Sequence, residues 1–188
     1  DIPGAFIYGD YRGYKLPPGD YKARLYVNNQ ESATSFTVLQ DPNLKVSQAD
    51  WKTQQETLAH INSTISEMHK SVNDLRKVSG QLDHMEIVLK DVAGSKDILE
   101  AGQSLNKKIK DWESTIVETR IQNGQDVINW PSKMNAEYFN LRGLADSHDP
   151  RITQGMKQRL ADLDAQWAQR KAELIKIRAG KANPQMLD

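Results

Sequence analysis

Between Trp51 and Val92 apolar residues fall on two interleaved lines of seven-residue spacing. Trp51, Leu58, Ile65 and Val72 make one line, and Ile61, Met68, Leu75, Leu82 and Leu89 the other. Lines offset by three positions form a narrow apolar stripe on one side of a helix, which other helices must cover. No Pro interrupts the run, and its only Gly is Gly80, across which the second line stays in phase. The spacing predicts one helix from about Gln48 to Val92, bent near Gly80. An interior Gly costs about 1 kcal/mol relative to Ala, which a packed seam offsets. The alternative is two helices that break at Ser79-Gly80. Ser47, with Asp50 three residues on, supplies an N-cap close to a capping box.

Three shorter helical stripes follow. Ser95 caps a second helix carrying Ile98, Gly102 or Leu105, Ile109, Trp112 and Ile116, which is expected to end before the turn signal Asn123-Gly124. Pro131 suits the first turn of a third helix, where its missing N–H costs nothing. Met134, Tyr138, Leu141 and Ala145 form its apolar face. A polar loop from Asp146 to Asp149 and then Pro150 lead to a fourth helix with Met156, Leu160, Leu163, Trp167, Leu174 and Ile177. The tail after Ala179-Gly180, with Asn183-Pro184, reads as frayed. In the simplest packing the second helix folds back along the first, and the last two complete an antiparallel bundle. Trp51, Trp112 and Trp167 lie at seam positions and Trp130 in a connection, so at least two of the four tryptophans are expected in the core.

Residues 1–42 follow another period. Leu16-Pro17-Pro18-Gly19-Asp20 is a turn signal. Tyr21, Ala23, Leu25 and Val27 then alternate with Lys22, Arg24 and Tyr26, as in a half-buried strand. Asn28-Asn29 tolerates the left-handed conformations of a tight hairpin. A second strand runs from about Ser32 to Leu39, with Phe36 and Val38 on one face, and Ala5 to Tyr8 is a candidate third. Three strands make a poor domain, because exposed edges and a thin core need a partner. Either the helices cover this sheet or the missing strands lie upstream of Asp1, and the second is the reading preferred. The expected organisation is a partial Ig-like β segment over 1–42 and a helical bundle over 43–188, in a mainly α chain.

Composition narrows the function. Lys+Arg and Asp+Glu both number 25, giving a formal net charge of zero. That balance argues against a dedicated nucleic-acid or anionic-membrane binder. A mean hydropathy of -0.70 and the lack of a long apolar run argue against membrane insertion. There is no cysteine, so disulfides, thiolate metal sites and thiol catalysis are excluded. The chain opens on Asp1 with neither an initiator Met nor a signal-peptide pattern, which reads as a processed chain or a piece of something larger.

One resemblance enters here. Pro18-Gly19-Asp20-Tyr21-Lys22-Ala23-Arg24-Leu25-Tyr26-Val27, a hairpin, Phe36-Thr37-Val38 and then Asp41-Pro42 resembles the end of a bacterial Ig-like domain. The region beyond, with Asp126-Val127-Ile128-Asn129-Trp130-Pro131 and Asn135, is similar to the C-terminal part of large secreted bacterial sortilin-like (BNR-repeat) β-propeller proteins, often labelled glycosyl hydrolases. In these a propeller precedes an Ig-like domain and a helical tail. The resemblance implies an exported protein, periplasmic or extracellular, and transfers no catalytic residue to any position here.

The candidate chemistry is sparse. His60 and His69 are nine residues apart, which does not give the i, i+4 pairing of a helical metal site. His84 with Glu86 is no better, and these histidines read as solvated or at the rim. Asp146, His148 and Asp149 share a loop and offer cation ligands, but the ordinary reading is a polar connection with a local turn and a capping carboxylate. Asp162 and Asp164 point in different directions on one helix and lack the cleft a glycosidase needs. Lys107, Lys108 and Lys110, interleaved with Asp111 and Glu113, read as a solvated face without the aromatic platform of a nucleic-acid track. Asn62-Ser63-Thr64 is a formal glycosylation sequon inside the first helix.

No catalytic, cofactor-binding or metal residue is therefore assigned, and no cofactor is expected. The reading is a non-catalytic C-terminal accessory or structural module that packs on or presents an upstream β-propeller. Its partners would be upstream domains of the same polypeptide, with self-association through the helix seams. The alternative is a free-standing protein-binding helical adaptor of the coiled-coil or spectrin-like kind.

Overall fold

A computed structural model describes residues 2–3 and 12–179. Two strands, β1 (Gly19–Val27) and β2 (Gln30–Val38), form an antiparallel hairpin. Four helices follow: α1 (Gln48–Leu89), α2 (Lys96–Ile116), α3 (Met134–Ala145) and α4 (Gln154–Arg178). The chain is thus mainly α, with one very long helix and a small sheet ahead of the bundle. The strand proposed over Ala5 to Tyr8 and the tail around Asn183-Pro184 lie outside the described residues.

α1 starts where its capping chemistry says it should. The Ser47 hydroxyl accepts the Asp50 N–H at 3.2 Å, and the Asp50 carboxylate accepts the Ser47 N–H at 2.9 Å, a reciprocal capping box. Ser47→Ala is expected to lower stability by about 1 kcal/mol, read as a shift in the urea midpoint. The helix then runs unbroken through Gly80 for 42 residues, about 63 Å at 1.5 Å per residue. It stops at Leu89, and the turn to α2 is closed by Ser95, whose hydroxyl donates to the carbonyls of Leu89 and Val92 at 2.7 Å. Gly94 within that turn has φ +83°, a conformation that disfavours other residues.

The other helices pack along α1 in two tiers. α2 descends beside its C-terminal half, where Asn106 meets Ser79 and Asp83, and Glu113 meets Arg76. α3 descends beside its N-terminal half, where Arg142 meets Asn62 and Gln54 reaches the Ala145 carbonyl. α4 runs parallel to α1, with Asp164 beside His60, Lys171 beside Glu67 and Arg178 beside Asp74. As far as the end of α4, each level of the column therefore holds α1, α4 and either α2 or α3. Leu58, Ile61, Met68, Val72, Ile109, Ile116, Tyr138 and Leu163 make up its innermost layer. Trp112 and Trp167 are buried against each other, with ring centroids 6.4 Å apart, so two of the four tryptophans are core.

α1 stops at Leu89, short of the expected Val92, and boundaries of the later helices differ too. α2 ends at Ile116 and not near Asn123. Beyond Ile116 the seam positions are Thr119, Arg120 and Asn123, so continuing the helix would have packed polar side chains. Instead the backbone turns extended at Val117, and Val117 and Ile121 are buried from a loop. Pro131 lies outside α3, whose N-cap is Lys133. The Asp126 carboxylate accepts the N–H groups of Gln122 and Asn123, so the loop closes on itself before the helix begins.

Candidate interaction site

The hairpin is the part of the chain whose sequence pattern and surroundings disagree. Its turn residues Asn28 (φ 47°) and Asn29 (φ 64°) are both left-handed, the two-residue turn that matches strand twist. Register pairs Tyr21 with Phe36, Ala23 with Thr34, Leu25 with Ser32 and Val27 with Gln30. Side chains alternate across a strand, so Tyr21, Ala23, Leu25, Val27, Phe36 and Val38 share one face while Lys22, Arg24, Glu31 and Thr37 share the other. Nothing among the described residues covers that apolar face. Leu25 is 64% exposed, Val27 54% and Phe36 44%. Tyr21 stacks on Phe36 at 5.7 Å, the one aromatic contact on the face among the described residues. The helices do not cover the sheet.

The hairpin is nevertheless fixed in place by its roots. Before β1, the Lys15 N–H donates to the Asp146 carboxylate at 3.1 Å, and its ammonium to the Asp146 carbonyl at 2.9 Å. Gln55 of α1 donates to the Lys15 carbonyl. After β2, Trp51 Nε1 donates to Gln40 Oε1 at 3.3 Å, and His148 Nε2 lies 3.1 Å from Asp41 Oδ2. Asp41 is held below the usual carboxylate range first by the Asn43 N–H. Leu16, Pro18, Leu39, Leu44 and Trp51 line a shallow recess between these roots. The loop with Asp146 and His148 is thus a clamp on both roots of the hairpin. Asp149 is engaged by Arg151, which lowers its pKa to about 2.

His60 pairs with Asp164 at 2.8 Å, and the buried Tyr138 hydroxyl donates to the same carboxylate at 2.7 Å. Burial first, and then that carboxylate, keep Tyr138 protonated far above its ordinary range. Asp162 accepts from Gln158 on the outer side of α4. His84 is exposed. His69 corrects the expectation of solvated histidines: it is 6% exposed, with its ring 6.0 Å from that of Phe139. Its Nε2 has no hydrogen-bond partner among the described residues, and burial pushes its pKa down to about 4. Its position one residue after Met68 puts it beside the apolar line, where α3 widens the covered stripe.

Lys107 and Lys110 sit on the α2 surface paired with Asp111 and Asp83. Asn62 of the sequon lies within α1 and accepts from Arg142. Glu118, held at about 2 chiefly by its hydrogen bond from Arg120, is a local ion pair in the loop after α2. The Arg120 guanidinium also lies 3.8 Å from the centroid of the Trp130 ring. Among the described residues no group of three or more His, Asp or Glu side chains is placed to hold a metal ion. None of the described helices is long and apolar enough to cross a membrane. No family model, curated protein or solved structure matches the chain.

Proposed function

We infer that this chain is a non-catalytic accessory module in which a helical bundle holds an amphipathic β-hairpin out towards a partner sheet. The observation that carries the reading is the apolar face of Leu25, Val27 and Phe36, left open among the described residues on a hairpin whose roots are clamped. An isolated two-stranded hairpin is marginal in water, and its open edges invite pairing with another strand. Burying such a face contributes about 25 cal/mol per Å² of apolar surface, which favours a hydrophobic sheet as the partner. The partner that fits the Ig-like pattern is the rest of a sandwich in upstream domains of the same polypeptide, itself exported and carrying a β-propeller farther upstream. The bundle then packs on or presents those domains.

The test is the intact mass of the native species in its source cell, together with hydrogen exchange at the hairpin amides. The expected result is a polypeptide far larger than 21.3 kDa with the outward-facing amides of β1 and β2 protected. A native species of that mass whose hairpin amides exchange freely overturns the reading. A second reading, the free-standing helical adaptor, is favoured by the apolar side chains exposed at the far end of α1 and in the turn beyond it, among them Met85, Val88 and Val92.

A further inference from the structure

The groove that holds α4 continues past the end of α4. His60, Glu67 and Asp74, seven residues apart on α1, reach in turn Asp164, then Trp167 and Lys171, then Arg178. α4 stops at Arg178, and α1 and α2 go on together as a two-helix arm. The neighbouring seven-residue line is Thr64, Ser71, Val78 and Met85 on α1, with Val92 next in the turn beyond it. Thr64 and Ser71 are buried, whereas Val78, Met85 and Val92 are exposed, as is Val88 beside them. Met85 and Ile98 also line one groove between the two helices, floored by Leu82, Leu89 and Gly102. Among the described residues the apolar strip is thus the unfilled extension of a groove that α4 fills lower down.

The charges beside the strip have a direction. At the base of the arm, Lys70, Lys77 and Arg178 gather around the single carboxylate of Asp74. Lys108 adds an exposed cation at the same level on α2. At the tip, Asp91 and Asp97 are exposed and have no ion-pair partner among the described residues. At 100° per residue, Lys77 on α1 and Lys108 and Asp97 on α2 fall along the open side of the groove, and Asp91 follows in the turn two residues past the end of α1. Lys77 stands 12 residues, about 18 Å, below the end of α1, and Lys108 and Asp97 are 11 residues, about 17 Å, apart on α2, near enough for both to be spanned by one antiparallel partner. Lys90 and Lys96 are also exposed at the tip but lie away from the groove, Lys96 beside Glu100, so the open side alone is basic at one end and acidic at the other and complements a copy of itself turned end for end.

We propose that this arm docks antiparallel against the arm of a second copy of the chain. Val78, Met85, Val88, Val92 and Ile98 meet their counterparts, and the Asp91/Asp97 tip of each copy lies over the Lys77/Lys108 base of the other. The contact is two-fold, so every substitution counts twice. The proposal goes beyond the hairpin reading and does not depend on it.

The test is sedimentation velocity over a concentration series, with helical circular dichroism to show that each exposed-site variant is folded. The full chain is expected to dimerise, and Met85→Glu or Val88→Asp to leave a folded monomer. The chain with Lys77→Glu and Lys108→Glu, and separately the chain with Asp91→Lys and Asp97→Lys, should each self-associate about tenfold or more weakly. Mixing the two should restore a dimer, because every juxtaposition in the mixed pair is again attractive. Leu25→Glu on the hairpin should change nothing. A chain that is monomeric at all concentrations overturns the proposal. So does a dimer that Met85→Glu leaves intact, or one that the charge variants neither weaken nor restore.

Discussion

Trp112→Ala is expected to cost about 3–5 kcal/mol, the range for deleting a buried aromatic side chain from a packed core. The ring is 3% exposed, lies against Trp167, and its indole N–H donates to the Arg170 carbonyl at 2.9 Å. Truncation opens a cavity between α2 and α4 and removes a second hydrogen bond to a carbonyl that keeps its bond within the helix, so the transfer and cavity losses dominate and the hydrogen-bond loss adds little. Trp51→Ala makes the internal comparison. Trp51 occupies an equivalent seam position in the heptads, but its side chain is only half-buried at the hairpin root. Its loss should be well under half that of Trp112. Urea unfolding of the two variants checks both statements, and equal losses would mean that the seam pattern, and not burial, sets the cost.

A pH-dependent loss of stability centred on His69 is the second large effect. Its folded-state pKa is lowered from 6.5 to about 4 because burial disfavours the imidazolium. Above pH 6.5 the ring is neutral in both states and contributes no pH dependence. As pH falls from 6.5 to 4 the unfolded chain binds a proton that the folded chain refuses, so stability falls by up to about 3 kcal/mol. His69→Leu removes both the titration and the unpartnered Nε2, so its stability at pH 7 should equal or exceed that of the parent. The gap between the two chains should widen from pH 6.5 to 4 and then level off. Glu118 and Asp149, both held near 2, act in a separate window: their contribution is present above the ordinary carboxylate range and lost as pH falls towards 2. Urea midpoints at pH 7, 5.5 and 4 decide the matter, and parallel curves for the two chains would show that His69 is not the source.

What the sequence made legible was local. The seven-residue lines run through Gly80 because helical phase is a property of spacing, and Ser47 with Asp50 is a cap because both partners lie within four residues. Asn28-Asn29 announced its hairpin for the same reason. The clamp was not legible, since Lys15 and Asp146 are 131 residues apart and nothing local marks either as a partner. His69 was misread because it lies one residue off the Met68 line. Only the position of Phe139 on another helix shows that the covered stripe is wider than its apolar residues. The end of α2 was missed for the opposite reason. The Asn123-Gly124 turn signal was real, but the apolar stripe had already run out at Ile116.

The unbroken α1 also acts as a ruler. The hairpin is rooted beside its first turns and the open arm lies at its last, about 60 Å away at 1.5 Å per residue. Nothing but residue count sets that separation. An insertion or deletion of seven residues between Leu75 and Leu89 would lengthen or shorten it by about 10 Å while returning the stripe nearly to its original orientation. A change of one or two residues would leave the length almost untouched and swing the arm through about 100–200° around the axis. Length variation in this helix is therefore tolerable in steps of seven, and the distance between whatever the two ends hold is quantised accordingly.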